Sequence, residues 1–407
     1  MRHLYMYNDV HKPPVNITCS AFLTCFREIE AFVSCIYTCL RVLFDSSSIE
    51  LYEMTEFIQG TCLSMCPEKE RWMREKKGWL HRFEIDESTK GMKRPKADPA
   101  KTVKCFSRSA AGMIMNDPNQ LRPAPVLLST IRYLFTKIVT RTDVDWAIIY
   151  DFVFDRLRSI RQDIIIQRID AATSIKLFEP IVRFLVYSAQ RLCGRSIPEF
   201  NEKINNQHLS ECIKHLLVLY DESNQRSSLQ VENSMERLSL NNDRQQMEAL
   251  YILFNMGNVD ALRRALSLPH DLRRSPDIRI SIKISLAWYL KNYARASYLI
   301  QQLSPILICA AMTNIRNIRR MALKIMSSGY NSKVLTFPGL KLQQLLLYKD
   351  IDSVRADCET FGLVITDQNV LFQKANFKDQ VQLANSDMYY NCQTLHNFLP
   401  RILFESM

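Results

Sequence analysis

The chain has 407 residues, of which 47% are hydrophobic and only nine are glycine, a composition typical of a folded, helix-rich protein. Its formal net charge of +11 favours acidic partners or nucleic acid, and no uncharged apolar run approaches the length of a membrane-spanning helix. The twelve cysteines lack the spacing of a small disulfide-rich domain, which predicts reduced thiols in the cytosol or nucleus.

The first predicted element follows an unassigned N-terminal extension, residues 1–59, and opens the segment 60–120 as a helix. Pro67 suits its first turn, where a backbone N–H is not needed, and acidic residues follow near the positive end of the helix dipole. Glycine and prolines then interrupt the helical pattern between Phe83 and Ala100, which predicts an exposed basic loop.

A helical period dominates residues 121–310, which we predict to form a solenoid of stacked helix pairs. The polar stretch Asp221–Asn242 is predicted as a linker or an exposed helix join, and Gly257-Asn258 as a turn. Mostly apolar residues recur at helical spacing on successive faces: Ile131, Leu134, Phe135, Ile138 and Val139; Trp146, Ile149, Tyr150, Val153 and Leu157; Phe178, Ile181, Phe184, Leu185 and Ser188; Cys212, Leu216, Leu219 and Tyr220; and Met247, Leu250, Tyr251 and Phe254.

The pattern changes in residues 311–380, which are followed by a C-terminal tail, residues 381–407. Three short helices are predicted at Ile315–Ser327, Gly339–Tyr348 and Asp352–Phe361, and β-strands at Leu363–Thr366 and Val370–Phe377. Three helices followed by a β-hairpin are the plan of a winged helix, and a helical solenoid ending in a winged helix is the PCI architecture. The predicted fold class is therefore mainly α, a PCI-like solenoid with a winged-helix subdomain and a small β-hairpin.

Five strings occur in order along the chain: GTCLSMCPEKERWMRE (60–75), CFSRSAAG (105–112), LRPAPVLLSTIRYL (121–134), YDFVFDRLRSIRQDI (150–164) and FNEKINNQHLSECIKHLLVLY (200–220). Together they resemble the Sac/GANP homology-domain family, from about Gly60 to about Phe377, and the compact size of the chain resembles its short branch. Relatives often carry a proline near Leu63-Ser64, and residues 1–59 match no segment of the family.

This resemblance implies a non-enzymatic scaffold for messenger-RNA export at the nuclear pore, paired with a second PCI-domain subunit and a small acidic proteasome-lid-type protein, and handling RNA. Because the short branch is associated with centrosome duplication and the mitotic spindle, a cell-division role is the alternative, and a proteasome-lid-like assembly scaffold is a further one. The implied locations are nucleus and cytoplasm, at the pore or at centrosome and spindle. The resemblance implies structural roles for nine residues of the matching motifs: Cys62, Cys66, Pro67, Glu70, Arg71, Asp155, Arg158, Arg161 and Asp163.

Two groups of residues were candidates for chemistry. Cys62 and Cys66 could share a zinc ion, but a structural site needs about four ligands and only His81 is near in sequence; buried packing thiols are the favoured interpretation. Asp151 and Asp155 lie four apart, with Asp163 following among Arg156, Arg158 and Arg161. Acids so close to arginines favour ion pairs at helical spacing over an acid–base site.

The glycine-poor sequence also contains no phosphate-binding loop, zinc-protease motif or nucleophile elbow. We therefore predict that the protein is not an enzyme and needs no cofactor or metal.

Positive charge is concentrated between Asp260 and Lys324, where twelve bases face three acids. Such a concentration attracts polyanions over a long range, and arginine clusters neutralise phosphates. The sequence therefore predicts a surface for nucleic acid or for an acidic partner, formed by Arg263, Arg264, Arg273, Arg274, Arg316, Arg319, Arg320 and Lys324.

Overall fold

The computed structural model describes residues 58–108, 117–229, 234–366, 368–381 and 399–403, without the side chains of 224–243, 400 and 401. Most of the predicted extension 1–59 and most of the predicted tail 381–407 lie outside these ranges. Within them the chain is mainly helical, and no helix is both long and apolar enough to cross a membrane.

Among its described residues, the opening segment contains one α-helix, α1 (Glu68–Lys77), where the sequence predicted it. Pro67 is its N-cap residue, and Gly78 ends it in the left-handed conformation with φ +70°. A loop follows with a short 3₁₀ turn at Glu87–Thr89 and a bridge between Ile85 and Ala97. The tip of this loop is exposed, as predicted for a basic loop.

The middle of the chain is an array of helices. In order they are α2 (Ala124–Tyr133), which continues into a π-helical turn at Leu134–Ile138, α3 (Trp146–Gln167), α4 (Ala171–Arg191), α5 (Glu202–Leu229), α6 (Ser234–Phe254), α7 (Val259–Ser267), α8 (His270–Arg274), α9 (Pro276–Tyr289), α10 (Tyr293–Ile300) and α11 (Pro305–Met312). Helix α4 packs on α5, α6 packs on α9, and α11 packs on both α4 and α6. Helix α11 thus connects α4 and α6, two helices that are not neighbours in sequence.

Side-chain caps explain where several of these helices begin. Asp145 accepts a hydrogen bond from the backbone N–H of Ala147 at the start of α3, and Asp170 accepts one from Thr173 at the start of α4. Asn258 caps α7 directly after Gly257, whose φ of +77° forms the predicted turn. These short polar side chains satisfy backbone donors that have no partner inside the helix.

The predicted apolar faces form the core of the array. All the predicted residues on α2, α3 and α4 and on the π-helical turn are buried, and so are those on α5. On α6, Met247 and Leu250 are buried, while Tyr251 and Phe254 are partly buried and pack against the same core. The helical period therefore identified this core correctly.

The stretch Asp221–Asn242, predicted as a linker or an exposed helix join, is mostly helical, because α5 continues to Leu229 and α6 has already begun at Ser234. The linker alternative is therefore wrong. This stretch is polar, but it contains neither glycine nor proline. Polar residues with ordinary helix propensity extend a helix once its neighbouring turns are packed.

The C-terminal unit contains three helices and a small sheet: α12 (Ile315–Gly329), β1 (Thr336–Pro338), α13 (Gly339–Leu345), α14 (Ile351–Thr360), β2 (Val364–Thr366) and β3 (Asn369–Leu371). The sheet is antiparallel in the order β1–β3–β2, and Val370 lies opposite both Phe337 and Ile365. A short helix, α15 (Leu399–Leu403), packs on α4 and the π-helical turn.

Two details of this unit differ from the prediction. Strand β1 was not foreseen, because three residues ending in a proline carry no strand pattern. The second predicted β-run stops at Leu371 instead of Phe377. Its later aromatic residues pack against the unit's core from irregular chain: Phe372 is buried and Phe377 stacks on Phe361 at 5.2 Å between ring centroids.

Helix α12 belongs to two hydrophobic cores. Its first turns place Ile315 and Ile318 in the core of the helical array. One turn later, Ala322 and Leu323 enter the separate core that α13, α14 and the sheet share. The helix therefore joins the array to the C-terminal unit through its own packing.

Candidate partner and nucleic-acid interface

Two buried carboxylates, Glu84 and Asp163, fix the opening segment against α3. Neither carboxylate is exposed to solvent. Glu84 accepts hydrogen bonds from Arg74 of α1, from Arg156 of α3 at 3.1 Å and from the backbone N–H of Val103 at 3.1 Å. One acid thus joins three segments, and the charge-assisted bonds offset its desolvation.

Asp163 forms the second centre. It accepts from Arg122 Nε at 2.7 Å and from Lys104 Nζ at 2.7 Å. The Arg122 guanidinium also donates to Ser159 Oγ and to the carbonyl of Met65. We call the six charged residues of these two centres the ionic joint: Arg74, Glu84, Lys104, Arg122, Arg156 and Asp163.

Two other motif acids serve as backbone acceptors at the edge of the ionic joint. Glu70 accepts from the N–H of Cys105 at 2.8 Å, and Asp155 accepts from the N–H of Phe106 at 3.2 Å. Asp155 also pairs with Arg156 at 2.7 Å. These contacts hold the irregular chain around residue 105 between α1 and α3.

Arg158 and Arg161, the remaining motif residues of α3, also contact residues outside this helix. Arg158 stacks over the ring of Phe106 with 3.8 Å between its Cζ atom and the ring centroid, and burial lowers the pKa of Arg158. Arg161 contacts His208 at 3.0 Å and Glu211 at 3.3 Å, both on α5. Within α3, Asp155 does pair with an arginine, Arg156, but at adjacent positions. The partners of Arg161 and Asp163 lie on other segments, so the predicted pairing at helical spacing is wrong for these two residues.

The cysteines of the opening motif are packed thiols. Cys62 donates to the carbonyl of Ser64, and the Cys66 thiol lies 3.6 Å from the carbonyl of Pro67. Burial raises the pKa of the Cys66 thiol and raises that of Cys105 to about 11. Both thiols are therefore protonated at neutral pH, whereas a cysteine nucleophile acts as the thiolate.

The third sequence candidate for that metal site, His81, lies in an aromatic environment. Its ring is 4.6 Å from Phe83 and 4.7 Å from Phe152. Nowhere in the described ranges do three His, Cys, Asp or Glu side chains form a group that could hold a metal ion. The remaining motif residue, Arg71, lies 3.9 Å from Glu68 on α1.

The environment of His81 predicts a pH dependence of stability. Burial, with the nearby positive charge of Arg156, lowers the pKa of His81 from 6.5 to about 4. Because the unfolded chain binds this proton more readily, the contribution to stability is complete above pH 6.5 and is lost as the pH falls towards 4. Urea unfolding between pH 7 and pH 4 should show this decline, and His81→Asn, which keeps an acceptor for the N–H of Phe83, should flatten it. Equal slopes in both proteins would contradict the assignment.

The structure divides the eight predicted binding bases into distinct groups. Arg319 is buried, with 3% of its surface exposed, and donates to the carbonyls of Leu346 and Leu347 at 3.1 and 2.6 Å. Its guanidinium also lies 3.9 Å from the ring of Tyr348. Its assignment to a binding surface is therefore corrected, because Arg319 anchors α12 to the end of α13.

Two further arginines are partly buried in contacts between helices. Arg264 of α7 donates to Glu248 of α6 at 2.7 Å and to Asp221 of α5 at 3.0 Å. Arg316 lies 3.5 Å from Glu202 and donates to the carbonyl of Cys193. Their charge is largely compensated within the array.

Arg320 and Lys324 are more exposed and share one acid, Asp379. The distances to its carboxylate are 3.1 Å from Arg320 and 2.6 Å from Lys324. Lys324, together with Arg320, lowers the pKa of the Asp379 carboxyl. Asp379 therefore removes part of the charge that the sequence assigned to this surface.

The remaining bases are accessible. Arg263 is highly exposed and lies 3.8 Å from an equally exposed Asp260, a pair that water screens effectively. Arg274 is exposed, and Arg273 is partly exposed and donates to the carbonyl of Leu266. Further exposed bases of this region lie on α9, after it and on α10: Arg279, Lys283, Lys291 and Arg295. The accessible positive charge therefore lies on α7 to α10 more than on α12.

The role of Arg319 can be tested by Arg319→Met, which keeps the bulk of the side chain and removes its donors. Two buried carbonyls would lose their partner, and we expect a loss of about 1–3 kcal/mol in the free energy of unfolding. Chemical denaturation measures the change, with Lys324→Met on the exposed face of the same helix as the control. A loss no larger than that of the control would show that Arg319 does not anchor α13.

Sequence reasoning missed four of the six members of the ionic joint: Arg74, Glu84, Lys104 and Arg122. Arg74 and Arg122 stand inside the motif strings, but Glu84 lies in a loop that the pattern marked as exposed. Glu84 and Arg156 are 72 residues apart, and Arg122 and Asp163 are 41 apart. Only the tertiary fold brings these charges together.

The sequence of this chain is similar to members of one protein family. The SAC3/GANP family model matches residues 65–367. SAC3 family protein 1 of Schizosaccharomyces pombe is 26% identical over 339 residues, which cover 79% of this chain and 31% of the relative. Protein xmas of Drosophila melanogaster is 26% identical over 334 residues, covering 78% and 15%, and SAC3 family protein B of Arabidopsis thaliana is 24% identical over 290 residues, covering 68% and 16%. The chain spans less than a third of the length of these relatives.

Proposed function

Because the chain belongs to the SAC3/GANP family, we propose that it is a non-enzymatic scaffold acting in mRNA export, in complex with a second PCI-domain subunit and a small acidic protein. The observation that carries the proposal is the single helix α12, which joins a helical array to a C-terminal unit of helices and a small sheet. The faces of the helical array and the small sheet are thus held together by one helix, as suits a scaffold with more than one partner. It would work mainly in the nucleus, at the pore.

The C-terminal unit supports the finer assignment to a winged helix. Its elements follow the order helix, strand, helix, helix, strand, strand, and the strand from between the first two helices pairs with the last strand. From α2 to α7, and again from α8 to α10, each helix packs on the next one, while α11 returns to α4 and α6; the successive packing supports a PCI-like solenoid. We therefore assign the proposed PCI architecture to residues from α2 to β3.

The sheet offers a surface for the partner subunit. Strands β1 and β2 each pair with β3 alone among the described strands, so each has a free edge. Beside β1, the apolar side chains of Val334, Leu335 and Leu340 are exposed by 83%, 76% and 59%. Apolar side chains clustered beside a free strand edge suit a protein partner.

The accessible bases of α7 to α10 offer a different surface, one suited to an acidic chain. Arg279 and Lys283 lie one turn apart on α9, and Arg274 ends the helix directly before it. Four reversals, Arg263→Glu, Arg274→Glu, Arg279→Glu and Lys283→Glu, should together weaken binding of the acidic protein at least tenfold, because attraction becomes repulsion.

Affinity for the purified acidic protein would be measured for the fourfold variant by isothermal calorimetry. Thermal unfolding should be unchanged, since these four side chains are exposed. A control with two reversals elsewhere on the surface changes Lys203 and Lys214, two exposed lysines of α5. If binding survives the fourfold reversal as it survives the control, the acidic partner does not use this surface.

The function itself is tested by mass spectrometry of proteins that co-purify with the endogenous chain, with and without nuclease. A PCI-domain subunit, a small acidic protein and export factors are the expected set. Centriolar and spindle proteins without export factors would replace the proposal by the cell-division role. Lid subunits of the proteasome would replace it by the assembly scaffold.

A further inference from the structure

The exposed side of α1 and its C-terminal end carry two tryptophans and two lysines in alternation. Lys69, Trp72 and Lys76 lie three and four residues apart on the helix, which places them on one ridge, and Trp79 follows three residues later, just beyond the helix end at Lys77. All four are exposed, Trp72 by 69% and Trp79 by 61%. Large aromatic side chains are seldom left so open on a surface that binds nothing.

The end of α1 sets the position of Trp79. Gly78 adopts φ +70° and donates to the carbonyl of Glu75, and the N–H of Trp79 donates to the carbonyl of Arg74 at 2.8 Å. This pair of bonds is a Schellman motif, which turns the chain sharply at the last helical residue. The ammonium of Lys77 lies 4.4 Å from the Trp79 ring centroid, a cation–π contact that orients the ring.

The charges of α1 are sorted between its two faces. Glu70 and Glu75 point towards the protein, where they accept the backbone N–H groups of Cys105 and Ala97. Arg74 is buried in the ionic joint. Outside, three lysines and the tryptophans remain, with Glu68 as the exposed acid, 3.9 Å from Arg71. The outer face is therefore positive as well as aromatic.

The basic loop adds to this charge. Because the N–H of Ala97 donates to Glu75, the loop returns to the protein beside the third turn of α1. Its exposed tip carries four bases, namely Lys90, Lys93, Arg94 and Lys96. The positive potential thus extends from the ridge across the neighbouring loop.

We propose that the α1 ridge, formed by Lys69, Trp72, Lys76 and Trp79, binds single-stranded RNA by stacking bases on its two indole rings and pairing phosphates with its lysines. Alternating flat rings and cations match the repeating base and phosphate of a single strand. A protein interface would instead concentrate apolar side chains at its centre, where lysine is depleted. This inference rests on the proposed role in mRNA export and gives that role an RNA-binding site.

Tryptophan fluorescence tests the inference on the full chain. Two of the four tryptophans lie on the ridge, and stacking of bases should quench their emission when an oligouridylate of about 16 nucleotides is added. Trp72→Ala with Trp79→Ala should weaken binding about tenfold for each ring, measured by anisotropy of labelled RNA. The variant with phenylalanine at both positions should recover most of the affinity, because a ring remains to stack.

Lys69→Gln with Lys76→Gln should lower the steepness of the salt dependence of log K by about 1.4, as expected for two lost phosphate contacts on a single strand. Lys203→Gln with Lys214→Gln removes the same charge from α5 and should leave both affinity and salt dependence unchanged.

Three outcomes would overturn the inference: no RNA binding by the wild type, alanine variants that bind RNA as the wild type does, or alanine variants that lose a protein partner while keeping RNA. In the last two cases the proposed scaffold function would stand, because the co-purification experiment tests it separately.

Discussion

Asp163→Asn should lower the free energy of unfolding by about 3–5 kcal/mol, because it leaves two cations buried without their counterion. Arg122 has no exposed surface and Lys104 is 8% exposed, so neither can turn to water without opening the contact between the opening segment and α3. An asparagine of the same shape still accepts hydrogen bonds but carries no charge. Chemical denaturation followed by circular dichroism measures the change.

Two further variants test whether this loss of stability comes from the buried charges. Asp143→Asn removes the acid of an exposed pair, in which Arg141 donates at 2.6 and 2.9 Å, and should cost less than about 1 kcal/mol. Lys104→Met, Arg122→Met and Asp163→Leu together should regain much of the lost stability, since apolar side chains of similar volume can replace a buried ionic group. If Asp163→Asn cost no more than Asp143→Asn, the ionic joint would not fix the opening segment.

The contrast between these acids shows where sequence analysis reached its limit. Asp143 and Asp163 each follow an arginine by two residues, yet one is exposed and the other fully buried. Helical periodicity predicted which face of α3 is buried, because burial of apolar side chains repeats with the helix. It could not predict which charges enter the interior, since their partners come from distant segments.

In the basic region, too, the sequence could not show which charged side chains are exposed and which are buried. A count of charges treated Arg263 and Arg319 as equivalent, although one is highly exposed and the other anchors α13. The three predicted helices of the C-terminal unit are present within a few residues of their expected bounds, whereas β1 was missed. Long periodic segments carry their own signal, but a three-residue strand is defined only by the strand it pairs with.

The second large effect is expected from Trp146→Ala combined with Tyr150→Ala. Trp146 packs on Tyr187 with 5.5 Å between ring centroids, and Tyr150 packs on Phe200 with 5.0 Å between ring centroids; both also contact Phe184. The two rings therefore join α3 to α4 and to the chain that leads into α5. Tyr150 in addition donates to Asn205 at 3.2 Å in the interior.

Each truncation should cost about 3–5 kcal/mol, and together they approach the whole stability of a typical domain, about 5–15 kcal/mol. We therefore expect the double variant to lose its cooperative thermal transition across α3 to α5, with a loss of helical circular dichroism. The ridge variant Trp72→Ala with Trp79→Ala also removes two large aromatic side chains, but from the surface. It should therefore keep the wild-type transition temperature. A normal transition in the core variant would mean that this face of α3 does not support the array, and that the aromatic contacts between α3 and α4 are replaceable by neighbouring aliphatic packing.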